Sequence, residues 1–201
     1  VVTSVGYHWR YMSMTDVAKD ILKDKPIALV RGHWIGGMPR VEWWRVREKS
    51  GGQVVEQTTH IFDLARYFAG DVRSVHAFGY QGILAPRTPN YNVEDASAVV
   101  MQFLNNAVGT IASADIAGIG YGAMLSVFSD NLAVEISMGG IDIIEKGKRT
   151  HIDREGSPTD REDAAFLAAI QSGDRSGIRS PYADALKTLA VTLAANESMH
   201  T

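Results

Sequence analysis

The sequence predicts an α+β fold: a large, open, mostly antiparallel β-sheet flanked by helices. Three observations carry this. Between residues 72 and 153 the chain is a run of short β-rich segments separated by tight-turn residues, the pattern of neighbouring antiparallel strands. Ahead of it, a mostly apolar stretch bounded by Gly51-Gly52 and Gly70 carries a polar stripe at helical spacing. Behind it, two Ala-rich segments with helical spacing close the chain.

The bulk numbers narrow the class. A globule of 201 residues buries roughly 70% of its unfolded surface and folds without staples. The net charge of −3, with no basic run, argues against nucleic acid or an anionic membrane as the main partner. There is no cysteine, hence no disulfide, thiol nucleophile or thiolate metal site. No apolar run approaches the roughly 18 residues of a membrane span. No secretory pattern precedes the first element, and a cytoplasmic location is expected. Val1 is not an initiator Met, so the sequence reads as starting inside a larger protein.

Taken in order, residues 1–6 are β-branched, end at Gly6 and read as a strand. The run Tyr7-His8-Trp9-Arg10-Tyr11 is dense in aromatic and basic groups. Residues 13–25 read as a helix, with Asp16 in its first turn, Lys23 and Lys25 in its last, and Pro26 as its stop. Residues 27–35 read as a strand that sets Arg31 and His33 opposite Val30 and Gly32. Residues 40–49, with Trp43 and Trp44, have no clean period and read as a loop or short irregular helix. Residues 50–70 read as one helix.

The strands follow at 72–81, 94–104 and 108–116, with Asn105 and Asn106 turning the last two into a hairpin. Gly118, Gly120 and Gly122 form a link. Further strands are expected at 123–129, 132–137, 141–145 and 149–153. Residues 160–172 read as a helix that buries Ala164, Ala165, Phe166, Leu167, Ala169 and Ile170. Ser180-Pro181 opens the last helix, with Pro at its first position. Its apolar stripe is Ala185, Leu186, Leu189, Ala190, Leu193 and Ala194.

The chemistry concentrates in 50–70. Glu56, His60, Asp63 and Tyr67 stand at i, i+4, i+7 and i+11, one stripe on one helix face. A carboxylate one turn from an imidazole can touch it, fix its tautomer and raise its basicity, which suits acid–base work. On spacing alone, such a stripe is by default the wet face of an amphipathic helix. Other chemistries find little support. The glycines of 118–122 precede a strand-like segment, not the helix that a dinucleotide fingerprint requires. No serine elbow exists. Glu56 and His60 lack a third clustered ligand, so no metal is expected. Trp34, Trp43, Trp44 and Tyr91 suit a sugar or polyol wall, or the core.

The run Gly51-Gly52-Gln53, Glu56, His60, Asp63, Gly70 resembles the Gly-Gly-Gly-x-x-x-Asp-x-x-x-His-x-x-Asp signature of the Gfo/Idh/MocA oxidoreductases. Residues 5–10, Val93-Glu94-Asp95 with Phe103 and Gly109, residues 166–173 and the Ala-rich final helix resemble that family in order and spacing. The resemblance implies the fold of the family's C-terminal domain. Residues 1–12 would be the end of a truncated N-terminal Rossmann domain, and 13–201 a substrate-binding and oligomerisation domain. About 120 residues are expected ahead of Val1, the length of an ordinary dinucleotide domain.

The resemblance also implies roles. His60 is the catalytic His, which relays the substrate hydroxyl proton, and Glu56 stands where the family has Asp. Gln53 in place of the third Gly is a second departure. Substrate contacts are expected from Arg10, Trp34, Asp63 and Tyr91, with Asp63 partly structural. The implied function is NAD(P)-dependent oxidation of a sugar, polyol or related hydroxyl compound. NAD or NADP belongs to the full-length protein, and none is expected on this chain. A homodimer or homotetramer through the open sheet is expected. A glycosidase-type relative and a non-catalytic assembly module are the competing readings.

Overall fold

The structure, a computed structural model, describes residues 1–201. The chain enters without regular structure and makes one 3₁₀ turn over His8–Tyr11 before helix α1, Ser13–Leu22. Strand β1, Leu29–Ile35, follows. A 3₁₀ turn over Glu42–Arg45 comes next, then three α-helical pieces: α2 (Arg47–Ser50), α3 (Gln53–Glu56) and α4 (Thr59–Ala69). Seven strands then run in sequence: β2 (Val72–Tyr80), β3 (Ala96–Phe103), β4 (Val108–Ala114), β5 (Gly122–Ser129), β6 (Leu132–Ser137), β7 (Gly140–Glu145) and β8 (Lys148–Asp153). Helices α5 (Pro158–Ser172) and α6 (Tyr182–His200) end the chain.

All eight strands form one open sheet in the order β2-β3-β4-β1-β5-β6-β7-β8. Every pair is antiparallel except β1 with β4. That parallel pair arises because β1 inserts between β4 and β5, and its long return to the sheet carries α2, α3 and α4. The expected α+β architecture with a mostly antiparallel open sheet is therefore the observed one.

The helices cover one face. Val30, Val99, Met101, Ile111, Leu125, Val127, Val134 and Ile136 point into a single buried cluster with Ile61, Phe62 and Leu64 of α4. Gly32 makes this contact possible. A Cβ there would collide with Ile61 Cγ2, so α4 lies close on β1 because β1 has no side chain at that point. Gly32→Val should destabilise the fold by about 1–3 kcal/mol through overpacking. Denaturant titration checks this, and an unchanged midpoint would remove Gly32 as the spacer.

The opposite face carries no helix. Its cross-strand rows include Phe78, Tyr80, Val100 and Val108, all exposed. Toward β8 the same face turns charged. Asp142 bonds His151 Nδ1 at 2.9 Å and accepts from Arg149 at 2.9 Å.

Four expectations change. Residues 1–6 are not a strand, since no sheet strand lies beside them; Val5 N–H instead donates to Ser180 O at 2.9 Å. The 50–70 helix is broken into α3 and α4. Gln57 stays in the right-handed helical region at φ −112° and ψ −52°, but Thr58 N–H donates to Gln53 O, five residues back, so the regular helical ladder is interrupted. Helix α5 buries Pro158, Glu162 and Ala169 and leaves Leu167 and Ile170 exposed. Helix α6 packs through Ala185, Thr188, Val191, Thr192 and Ala195, while Leu186, Leu189 and Leu193 face outward. Small residues let α6 approach β2 and α4 closely, so the larger leucines were displaced to the free side.

Candidate functional site

His60 sits in the first turn of α4, at the end where α4 meets the 3₁₀ turn and β1. Gly51 and Gly52, with φ of 77° and 87°, provide the left-handed corner that turns α2 into α3. The next break, at Gln57-Thr58, re-aims α4. As a result Glu56 and His60 no longer share one straight helix face. No hydrogen bond or ion pair joins them, and the Glu56 carboxyl is raised above its ordinary range by burial alone.

What surrounds His60 is aromatic. Trp34 of β1 stacks on it, with ring centroids 5.9 Å apart and planes 29° apart. Tyr7 meets it edge-on at 5.8 Å. His8 stands at 4.7 Å and 62°. The Tyr7 hydroxyl hydrogen-bonds Thr59 Oγ1 at 3.0 Å, which fixes the 3₁₀ turn against α4. Nδ1 of His60 is buried and has no partner. Burial, then the neighbouring His8, pushes the His60 imidazole down to about 4. His8 is also lowered, by burial first. Near neutral pH the site therefore holds two neutral imidazoles side by side, and burial makes His60 a weaker base than an ordinary histidine.

The other expected residues divide. Trp34 is brought to His60. Arg10 and Asp63 are brought to each other. Arg10 donates from Nε to Asp63 Oδ2 at 2.7 Å and from Nη2 to Oδ1 at 2.6 Å. Its Nη1 donates to Arg179 O at 2.6 Å, and Thr188 donates to Asp63 Oδ1 at 2.9 Å. Arg10 is 3% exposed and Asp63 0%. Their polar atoms are spent inside the fold, so the pair is a brace beneath the site and not a ligand contact. The idea that Asp63 would be partly structural agrees with this. Tyr67 packs under the cations of Lys19 and Arg10 at 3.8 and 4.8 Å.

Tyr91 is not gathered with His60. It is buried with Leu84 and Val93 in a separate small cluster, and its hydroxyl donates to Glu94 O at 3.1 Å. Trp43 and Trp44 pack on each other at 5.6 Å. Sequence reasoning missed Tyr7 and His8. The one available signal was the density of aromatic and basic groups in residues 7–11.

No group of three His, Cys, Asp or Glu side chains is placed to hold a metal ion. No helix is long and apolar enough to cross a membrane. Gly118, Gly120 and Gly122 run into β5, a strand, and no strand–glycine loop–helix unit is present.

Comparison with known proteins gives three findings. An uncharacterized protein of Schizosaccharomyces pombe is 28% identical over 98% of this chain and 55% of its own length. A candidate oxidoreductase from Thermotoga maritima superposes with a TM-score of 0.85 at 16% identity, over 100% of this chain and 62% of that one. Levoglucosan dehydrogenase, solved with NADH, superposes with a TM-score of 0.79 at 17% identity, over 100% of this chain and 64% of that one. At these identities the structural likenesses show the fold. The chain spans between about half and two thirds of the length of these proteins. Residues 26–136, more than half of the chain, match the family described as GFO/IDH/MocA C-terminal domain, and the chain belongs to that family.

Proposed function

We propose that this chain is the substrate-binding domain of an NAD(P)-dependent oxidoreductase acting on a sugar, polyol or related hydroxyl compound. The observation that carries the reading is His60, a neutral, half-buried imidazole set against the face of Trp34. A neutral imidazole of this kind accepts the hydroxyl proton of a substrate at the moment its carbon is oxidised. The half-buried ring of Trp34 suits the C–H edge of a sugar ring. His8, half-buried and in ring contact with His60, stands where it would carry that proton on toward water. Glu56 enters only through a bound substrate, whose hydroxyls would bridge the gap that the helix break opens.

In this reading residues 1–12 end a preceding dinucleotide domain and residues 13–201 form the substrate and oligomerisation domain. The nicotinamide, held outside this chain, supplies the hydride acceptor. The absence of cysteine fits a reducing, cytoplasmic setting without requiring one.

Turnover of the full-length protein tests the reading. Free sugars and polyols should reduce added NAD+ or NADP+. Release of the aryl group from aryl glycosides without net reduction would turn the reading to a glycosidase. Silence on both panels by protein that binds the cofactor would leave an assembly module.

The uncovered sheet face enters the same proposal as the surface of a homodimer or homotetramer. Phe78, Tyr80, Val100 and Val108 give it an apolar patch on adjacent strands, and such patches mark association surfaces. Sedimentation of the full-length protein should show a dimer or larger, and Val100→Lys should dissociate it. A parent that stays monomeric at high concentration would end this part of the proposal.

A further inference from the structure

Asp115 is the charged group that the fold leaves least provided for. It follows β4 directly and is 1% exposed, yet neither of its carboxylate oxygens has a hydrogen-bond partner. Buried carboxylates are ordinarily paired, because desolvation of a bare charge is costly. Asp95 beside it shows the ordinary solution: its carboxylate accepts from the backbone N–H groups of Gly82 at 2.7 Å, Ile83 at 2.6 Å and Leu84 at 3.2 Å. Glu94 pairs with Arg47 through one oxygen, while its Oε2 stays unpartnered. Burial, then Asp95 and Glu94, pushes the Asp115 carboxyl up to about 7.

Asp115 lies in the floor of a cavity, with almost none of its surface in the open. It lines a cavity of about 330 Å3 with Met38, Leu84, Arg87, Thr88 and Ile116, a volume at the lower end of small-molecule sites. The Thr88 hydroxyl is already donated to Met38 Sδ at 3.3 Å. Arg87 is exposed, and its guanidinium enters no ion pair or hydrogen bond of the molecule. The cavity thus offers one unsatisfied acceptor inside a negative field, one free guanidinium, and apolar walls between them. A bare metal ion is poorly served there, since no three ligating side chains converge.

We propose that this cavity binds a small molecule by a cationic amino group seated on Asp115, with an anionic group of the same molecule on Arg87. An ammonium supplies the hydrogen bonds that the Asp115 oxygens lack and also neutralises the field of Asp95 and Glu94. A neutral hydroxyl does only the first. The guanidinium fork matches a carboxylate or phosphate. The inference goes beyond the oxidoreductase reading and needs no turnover to be tested.

Calorimetry on the full-length protein at pH 7, with glucosamine 6-phosphate and glucose 6-phosphate as probes, decides it. The two differ by an amino group against a hydroxyl. The amino probe should bind at least about tenfold tighter, the worth of a charge-assisted hydrogen bond. Asp115→Asn keeps the shape, removes the charge, and should abolish that preference. Its melting temperature should not fall, because an unpaired buried charge is being removed. Arg87→Gln should weaken both probes alike. His60→Ala should leave the preference intact, so failure of the catalytic reading and failure of this one stay separately visible. Equal binding of the two probes, no binding of either, or a preference that survives Asp115→Asn overturns the proposal. So does tighter binding by Arg87→Gln, which would make Arg87 itself the partner of Asp115.

Discussion

Full-length protein carrying His60→Ala should turn over roughly two to four orders of magnitude more slowly than the parent, the usual loss when a general acid–base group is removed. The expectation rests on position and protonation together. His60 packs against Trp34, Tyr7 and His8, and its imidazole is pushed down to about 4 by burial and by His8. It is therefore neutral across the range from about pH 5 upward. The acid limb of kcat/KM should fall near pH 4 and not near the ordinary histidine value of about 6.5. A loss of less than threefold in His60→Ala would make the imidazole a packing group of the aromatic cluster.

The same shift predicts a stability profile. The folded-state value lies below the unfolded one, so between about pH 4 and about 6.5 the unfolded chain binds more protons at this position. Stability contributed by His60 is present above about pH 6.5 and is lost as pH falls toward 4. Thermal melts of parent and His60→Gln across that window should converge toward the acid end. Parallel curves would show that His60 is as solvated in the folded chain as in the unfolded one.

Much of this was legible in the sequence, for identifiable reasons. The strands announce themselves because β3, β4 and β6 alternate buried and exposed residues along their length, and Asn106 and Asn131 adopt the positive φ of their turns. The break at Gln57-Thr58 was not legible, since neither residue is a Gly or Pro. The packing face of α6 differs from the stripe its leucines suggest, because two stripes compete on that helix. The larger leucines attract notice, yet Ala185, Thr188 and Ala195 are what fit against β2 and α4. His60 emerged from a family resemblance and not from its spacing to Glu56, and the broken helix explains why. Its real neighbours, Tyr7 and His8, lie more than 50 positions away in the chain, where no periodicity within 50–70 could reveal them.

Asp63→Ala should cost about 3–5 kcal/mol, the scale for removing one partner of a buried ion pair. The cost comes mainly from what remains. Arg10 would keep its bonds to Arg179 O and the Asp184 carboxylate, but its Nε would be left without an acceptor in a region only 3% exposed. Asp63→Asn should cost less, since an amide oxygen still accepts one of the two hydrogen bonds. The double change Arg10→Met with Asp63→Leu should recover part of the loss, because no charge is then stranded. Denaturant unfolding followed by tryptophan fluorescence reads all three, and an Asp63→Ala loss below about 1 kcal/mol would show that the pair contributes little. The brace also bears on the candidate site. Arg10 adjoins Trp9 and His8 in the 3₁₀ turn, Asp63 lies one turn beyond His60 in α4, and Thr188 brings in α6. Loosening it frees the His8 segment from the His60 segment, so Asp63→Asn should lower kcat even at temperatures where the protein remains folded.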